Sequence, residues 1–473
     1  MVRRDAMAQS PAMNSPKRLT GGLVALVAVL VVAACGSSTP TTAPATTGPT
    51  PAATSAPTEA PATAPPTGAP SEAPSSSPIA SVCDESVTGG PAATAGANDP
   101  NAAVYAEVEG QVQGLRGITA TAPVARGVFD TPSLCAYLRE GFRKDNPEEL
   151  VKGTETLYKE LGLMPQDDSL EQLYLELLTS QVAGLYDDET KQMYVVSKDG
   201  AIGPVEEITY AHEFTHALQD QRFNLRKVVG EDTDQSDRTM ARAAVVEGDA
   251  TLLMSLWAQQ FLTPAELVKV AGSTDPASEA ILAKMPAILK DPLLFPYTSG
   301  IQLALGAYTN GGFEAVNGLF ANPPDSTEQV LHPEKFATRE KPVEVAFPKD
   351  LASRLGDGWT VSLQDTLGEV LLEVVLRDGG ATATNDAAAG WGGDRVALLE
   401  GPDGAKAVVM DTSWDTTEDA AEFEAALGPT VDKLKSIGRS PTILRPAVNR
   451  VVLVSAESAD TMGRVANALG LAG

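Results

Sequence analysis

The chain has 473 residues, 43% of them hydrophobic and 21% charged, enough to bury a sizeable core and to build two domains besides tails. Its formal net charge of −27 and its pI near 4.5 argue against nucleic acid and anionic lipid headgroups as partners. With only 3 cysteines and 3 histidines, the place of each one carries information.

In chain order, Lys17 and Arg18 precede an uncharged apolar run over residues 19–34 that ends at Cys35. A charged start, an apolar middle and small residues before a cleavage point make an export signal, and the run is short for a membrane-spanning helix. Val32-Ala33-Ala34-Cys35 resembles the bacterial lipobox, in which cysteine becomes the lipidated first residue. A plain secretory signal and an uncleaved anchor are the alternatives. The expectation is a lipoprotein signal peptide over residues 1–34, lipid on Cys35, and a protein anchored at the extracytoplasmic face of the cell membrane. Met13 is a candidate start, since residues 1–12 make a long lead. Residues 36–78 are Pro, Thr, Ser, Ala and Gly, broken only by Glu59 and Glu72. Such a segment cannot bury a core, so residues 35–80 are expected to be a disordered tether. Cys83 and Cys135 remain, and an even pair in an exported chain suggests a disulfide. The alternative, two metal-binding thiolates, lacks a C-x-x-C spacing.

The folded part opens with helical signals. Asp99-Pro100 precedes Val104, Val108, Val112 and Leu115 at helical spacing; Thr131-Pro132 opens a second helix, and Ser169 and its neighbours a third. Residues 183–186, a polar turn at 187–190 and residues 192–196 predict a β-hairpin. An exposed edge there would let an extended peptide add as a strand. A purely structural hairpin is the plainer alternative.

Next comes His212-Glu213-Phe214-Thr215-His216. Residues four apart share a helix face, so both imidazoles can reach one metal ion, and Glu213 is close enough to hold water on it. This is the spacing of the zinc-peptidase helix, with the glutamate as general base. A second long helix, over about residues 237–261, has an apolar stripe interrupted by Glu247. A carboxylate there is costly unless it is paired or metal-bound, which makes Glu247 the candidate third ligand, with a salt bridge to Arg242 as the alternative. Asp249 follows two residues later and could orient a ligand histidine, but on the helix it points away from that face. His332, in a polar loop, is a candidate oxyanion donor; a third-ligand or structural role is also open. Pro342, Pro348, Gly356 and Gly358 mark a boundary. Beyond it the pattern predicts a helix over 363–377, strands at 395–400 and 405–411, a helix over 417–437, strands at 442–445 and 450–455, and a last helix over 459–469. Gly390-Trp391-Gly392-Gly393-Asp394-Arg395 reads as a structural turn into the first of those strands.

With His212, Glu213, His216 and Glu247 so placed, the chain resembles the gluzincins, the thermolysin-like clan of zinc metallopeptidases. More closely, it resembles a little-characterised group of bacterial lipoproteins that share stretches like residues 212–221, 246–250, 326–333 and 390–395. The thermolysin-type Asn-Glu-x-x-Ser-Asp signature is absent, since Val246 precedes Glu247 and Thr251 lies four beyond it. The resemblance implies Zn2+ as cofactor and a peptide or protein substrate. The expected fold is α+β: a mainly helical gluzincin-type zinc domain with a small β-hairpin or sheet over residues 81–345, then a smaller α/β layer domain over 346–473. The expected function is that of a lipid-anchored zinc endopeptidase, with Glu213 and His332 catalytic and His212, His216 and Glu247 on the metal. A non-catalytic surface lipoprotein with a structural zinc and a partner-binding C-terminal domain is the alternative. Glu213 separates the two, because a structural site is closed and needs no adjacent base.

Overall fold

A computed structural model of the chain describes residues 100–196, 202–230, 232–273 and 275–471, together with Cys83 and the backbone of two short strands, β1 (Val24–Ala28) and β2 (Ala93–Thr94). Cys35 and the expected tether lie outside the described residues, as does the expected signal apart from β1. No helix among the described residues is long and apolar enough to cross a membrane.

The N-terminal region is mainly helical, as expected. It begins with α1 (Ala102–Arg116) and β3 (Ala125–Phe129). Asp130 caps α2 (Thr131–Asp145), accepting the Ser133 N–H at 2.8 Å, and α3 (Glu148–Glu160) and α4 (Leu170–Gln181) follow. Cys83 and Cys135 form a disulfide, with Cα atoms 5.4 Å apart, that ties the start of the folded part to α2. The expected hairpin is β4 (Val182–Asp187) and β5 (Gln192–Val196), its turn held by Asp187, which accepts the N–H groups of Glu189 and Thr190 at 2.8 and 3.1 Å. The sheet runs β1-β4-β5-β3-β2, with β3 parallel to β5 and every other pair antiparallel. The outer edge of β4 is therefore not open in the full chain, contrary to expectation: β1, from the expected signal segment, pairs with it antiparallel, Leu26 opposite Leu185.

α5 (Pro204–Phe223) packs on β4 and β5, and after it come α6 (Leu225–Val229), α7 (Ser236–Phe261), α8 (Pro264–Ala271), α9 (Pro276–Lys284) and α10 (Ala287–Ala321). The longest of these, α10, breaks at Gly311 and Gly312, the latter with φ +64°. After that break Asn317 meets Arg116, and Asp325, beyond the helix, meets Arg242 of α7. Two short helices follow, α11 (Thr327–Leu331) and α12 (Pro333–Thr338).

The C-terminal region comprises α13 (Leu351–Leu355), β6 (Thr360–Asp365), α14 (Gly368–Gly379), α15 (Thr384–Ala388), β7 (Trp391–Glu400), β8 (Lys406–Trp414), α16 (Thr417–Ser436), β9 (Ser440–Ala447), β10 (Arg450–Ala456) and α17 (Ala459–Ala468). Its five strands form an antiparallel sheet in the order β6-β7-β8-β10-β9. Residues 363–365, expected to open a helix, instead close strand β6.

The two regions share one apolar core, in which Leu157, Val245 and Val330 pack in the same cluster as Leu371, Trp391 and Trp414. A polar seam runs beside it at the start of α7. Buried Asp237 accepts the Thr327 N–H at 3.0 Å and donates its own N–H to Thr366 O at 3.1 Å, while Ser236 N–H reaches Asp365 at 2.9 Å. Asp394 accepts the N–H groups of Leu367 and Gly368 at 2.9 and 2.8 Å and the Trp391 indole at 3.0 Å. Burial raises the Asp365 and Asp394 carboxyls to about 6, against those hydrogen bonds. The stretches 326–333 and 390–395 thus lie at this seam, where they fasten the N-terminal end of α7.

Candidate metal centre

α5 is buried on every side from Ile208 to Asp220, as a helix in the interior of a domain is. Its histidines point to one place. Nε2 of His212 and Nε2 of His216 are 2.9 Å apart. Glu247 Oε2, from α7, is 3.2 Å from the first and 3.3 Å from the second. All three side chains are buried. Zinc bonds of about 2.0–2.2 Å in a tetrahedral shell separate ligand atoms by about 3.3–3.6 Å, so the two Glu247 separations are close to those of a metal shell and the two histidines stand a few tenths of an ångström nearer each other.

The protonation pattern suits a cation. Burial pulls His212 down to about 4, against the opposing pull of Glu247, so its ring is neutral. Glu247 has burial pushing its carboxyl up, but the two histidines beside it hold it down at about 2, leaving it ionised. His216 has its tautomer fixed from outside. Gln219 spends its amide N–H groups on Val246 O at 3.0 Å and Asp249 Oδ2 at 2.8 Å. Its oxygen can then only accept, and His216 Nδ1–H donates to it at 2.8 Å. The Nε2 lone pair is left facing Glu247 and His212. Behind Gln219, Arg116 holds Asp249 with two nitrogens at 3.0 and 3.1 Å, donates to Asn317 at 2.8 Å and lies 4.7 Å from the centre of the Phe313 ring. Asp249, which the helix geometry directs away from Glu247, therefore still acts on the centre, through Gln219. Sequence reading missed Gln219 and Arg116.

Glu213 differs from these groups. Both its carboxylate oxygens are buried without a normal hydrogen-bond partner among the described residues. Burial first, then the charge of Glu247, raises its carboxyl well above the usual range, against a weak pull from the Tyr186 backbone N–H that falls short of a normal hydrogen bond. A cation held by the three ligands reverses the second of these effects. β4 lies directly against Glu213 because Gly184 has no side chain: a Cβ there would stand 3.2 Å from Glu213 Cγ and 2.8 Å from Thr209 Cγ2. On the other side, Tyr297 of α10 stacks on the His212 ring, 6.2 Å between centres at 24°.

His332 is not brought to this group. It sits between α11 and α12, and its Nε2 binds both carboxylate oxygens of Glu369 on α14, at 2.9 and 3.1 Å. The expected oxyanion role is corrected on that ground, since the ring is committed to the seam with the C-terminal region. A second acidic group, Glu328, Glu340 and Asp415, surrounds the ammonium of Lys335, which already supplies its cation.

A protein family described as a domain of unknown function (DUF8575) matches residues 356–466. That match covers the C-terminal sheet and the helices from α14 to most of α17, and leaves the histidines outside it. No curated protein and no solved structure matches the chain.

Proposed function

We propose that the protein is a zinc-dependent peptide-bond hydrolase, a metallopeptidase of gluzincin type. The observation that carries this is Glu213: a buried carboxylate with no side-chain partner among the described residues and at most a loose backbone contact from Tyr186, directly beside a converging His-His-Glu group. A purely structural site has no use for an unpartnered acid at its edge. Two imidazoles and a carboxylate with room for one more ligand are the donor set of catalytic zinc. His212, His216 and Glu247 would hold the ion; when bound, zinc polarises a carbonyl and makes water more acidic. Glu213 takes the proton of the attacking water and passes it to the leaving nitrogen. Gln219 keeps His216 in one tautomer. β4 offers backbone groups beside Glu213 for an extended substrate, and its pairing with β1 supports that use, since the edge accepts an antiparallel strand. Removal of residues 1–34 at the lipobox would vacate this edge and leave the enzyme on lipid at the extracytoplasmic face. Membrane fractionation tests that anchor: a Cys35→Ser chain that stays in the membrane fraction rules it out.

The activity is tested with the full chain, its zinc measured by mass spectrometry, on a quenched peptide library. Hydrolysis should vanish with chelator and return with zinc. Glu213→Gln should keep its zinc and lose roughly two to four orders of magnitude in rate, the range of general-base contributions. Equal rates for the two proteins would refute the reading.

A further inference from the structure

Nδ1 of His212 on α5 and the hydroxyl oxygen of Thr251 on α7 are both buried without a hydrogen-bond partner among the described residues. Each departs from its neighbours. His216 gives its Nδ1 proton to Gln219 at 2.8 Å, and a metal-bound histidine almost always has such an acceptor. Thr209 and Thr215 on α5 turn their hydroxyls to carbonyl oxygens four residues back, at 3.0 and 2.8 Å, and Ser255 on α7 does the same at 2.8 Å. Thr251 does not, so its hydroxyl is left for a group outside its own helix.

The packing of the two helices puts these atoms on facing turns. α5 and α7 run antiparallel: Gln219 meets Val246, and His216, three residues back, meets Glu247. His212 is one turn further back along α5, and Thr251 one turn further on along α7, on the face of Glu247. Beyond them Ile208 and Met254 pack in one cluster, which continues the same register. Nε2 of His212 is turned to Glu247 and His216, so the proton of its neutral ring belongs on Nδ1, where it can only be donated. A hydroxyl oxygen can accept it. The two orphaned atoms are therefore complementary, one lacking an acceptor and the other a donor.

We propose that Thr251 is the positioning residue of His212: its hydroxyl accepts the Nδ1 proton, directly or through one water, when the ring presents Nε2 to zinc. The two ligand histidines are then held from outside by different helices, His216 by Gln219 of α5 and His212 by Thr251 of α7, which also bears Glu247. The inference rests on the metal reading of the site and not on hydrolysis.

The test uses the full chain as wild type, as Thr251→Val, which keeps the shape without the hydroxyl, and as Thr251→Ser, which keeps the hydroxyl. Zinc affinity is read by chelator competition. The ring is read by nuclear magnetic resonance of the zinc-loaded protein with 15N-labelled histidine, of which the chain has 3. We expect Thr251→Val to bind zinc about 10- to 100-fold more weakly at an unchanged melting temperature of the metal-free protein, and Thr251→Ser to recover most of that loss. The His212 Nδ1 proton should be as protected from exchange with water as that of His216 in the wild type, and lose that protection in Thr251→Val. Equal zinc affinity in Thr251→Val, or a loss that Thr251→Ser does not recover, overturns the role of Thr251 and leaves the metal reading standing. Should neither variant fold, the wild-type spectrum decides: a freely exchanging His212 Nδ1 proton beside a protected His216 proton overturns the proposal. A wild type that binds no zinc overturns the metal reading and this inference with it.

Discussion

Only one of the two ring nitrogens of His216 can face a cation, and Gln219 decides which. Its oxygen takes the Nδ1 proton because its nitrogen is already committed to Val246 O and Asp249. Gln219→Leu removes that acceptor and leaves every ligand in place. Zinc affinity, measured by chelator competition, should fall about 10- to 100-fold, the usual cost of losing a group that orients a ligand. An unchanged affinity at an unchanged melting temperature would show that the histidine needs no such support. At this scale the sequence was legible where one helix carried the whole message. His212 and His216 are four apart, Glu213 adjoins the first, and Glu247 interrupts an apolar face. It was illegible where the message crossed between elements. Asp249 points away from the centre on its own helix and reaches it only through a side chain of α5. His332 has a chemistry that suits an oxyanion, but its partner, Glu369, lies in a different domain.

Helix α7 carries Glu247, and its position depends on how closely α10 crosses it. A Cβ on Gly300 would stand 2.3 Å from Ala244 O, and one on Gly248 would stand 2.1 Å from Gly300 O. Backbone thus packs on backbone one residue from the metal ligand and one helical turn from Tyr297. Gly300→Ala must push the helices apart. It should cost about 1–3 kcal/mol or more, as overpacking does, and weaken zinc binding with it. Gly306→Ala, on the same helix with open space around its Cβ position, should instead stabilise by about 1 kcal/mol through helix propensity. Thermal unfolding of the two variants checks both signs, and equal melting temperatures would sink the crossing argument. The long elements were legible because period and caps agree: the β4–β5 hairpin, α5 and α7 fall where residue spacing puts them. Residues 363–377 were not, because the start of α14 is set from a distance. The N–H groups of Leu367 and Gly368 are capped by Asp394, which lies 27 and 26 positions further along. No local signal separates the end of β6 from that helix.

Across the whole molecule, the C-terminal region fastens the metal-bearing half, both through the shared core and through the seam at the start of α7. The Pro and Gly cluster suggests a boundary in sequence, but the extent of that contact was not legible there, since it is built from single residues scattered over the chain. His332 provides the handle for testing it. Its hydrogen bond to Glu369 raises the imidazole above 6.5, partly offset by burial, and Glu328 and Glu334 add to the rise. A histidine raised on folding contributes stability that is complete below its unfolded value and is lost as pH rises through its folded value. The contribution of His332 should therefore be full at pH below about 6.5 and fade above that. The side chain is 28% exposed, so the contribution is modest, on the order of 1 kcal/mol. Glu328, raised by burial to about 7, titrates over the same interval and changes the total pH profile in its own right. The difference between wild type and His332→Gln removes most of that background. Denaturant unfolding at a series of pH values should show a gap that is widest on the acid side and narrows toward alkaline pH, and Glu369→Gln should remove most of the pH dependence of that gap. A gap that widens as pH rises would mean that the ring is held neutral at the seam, and that Glu369 does not secure it by charge.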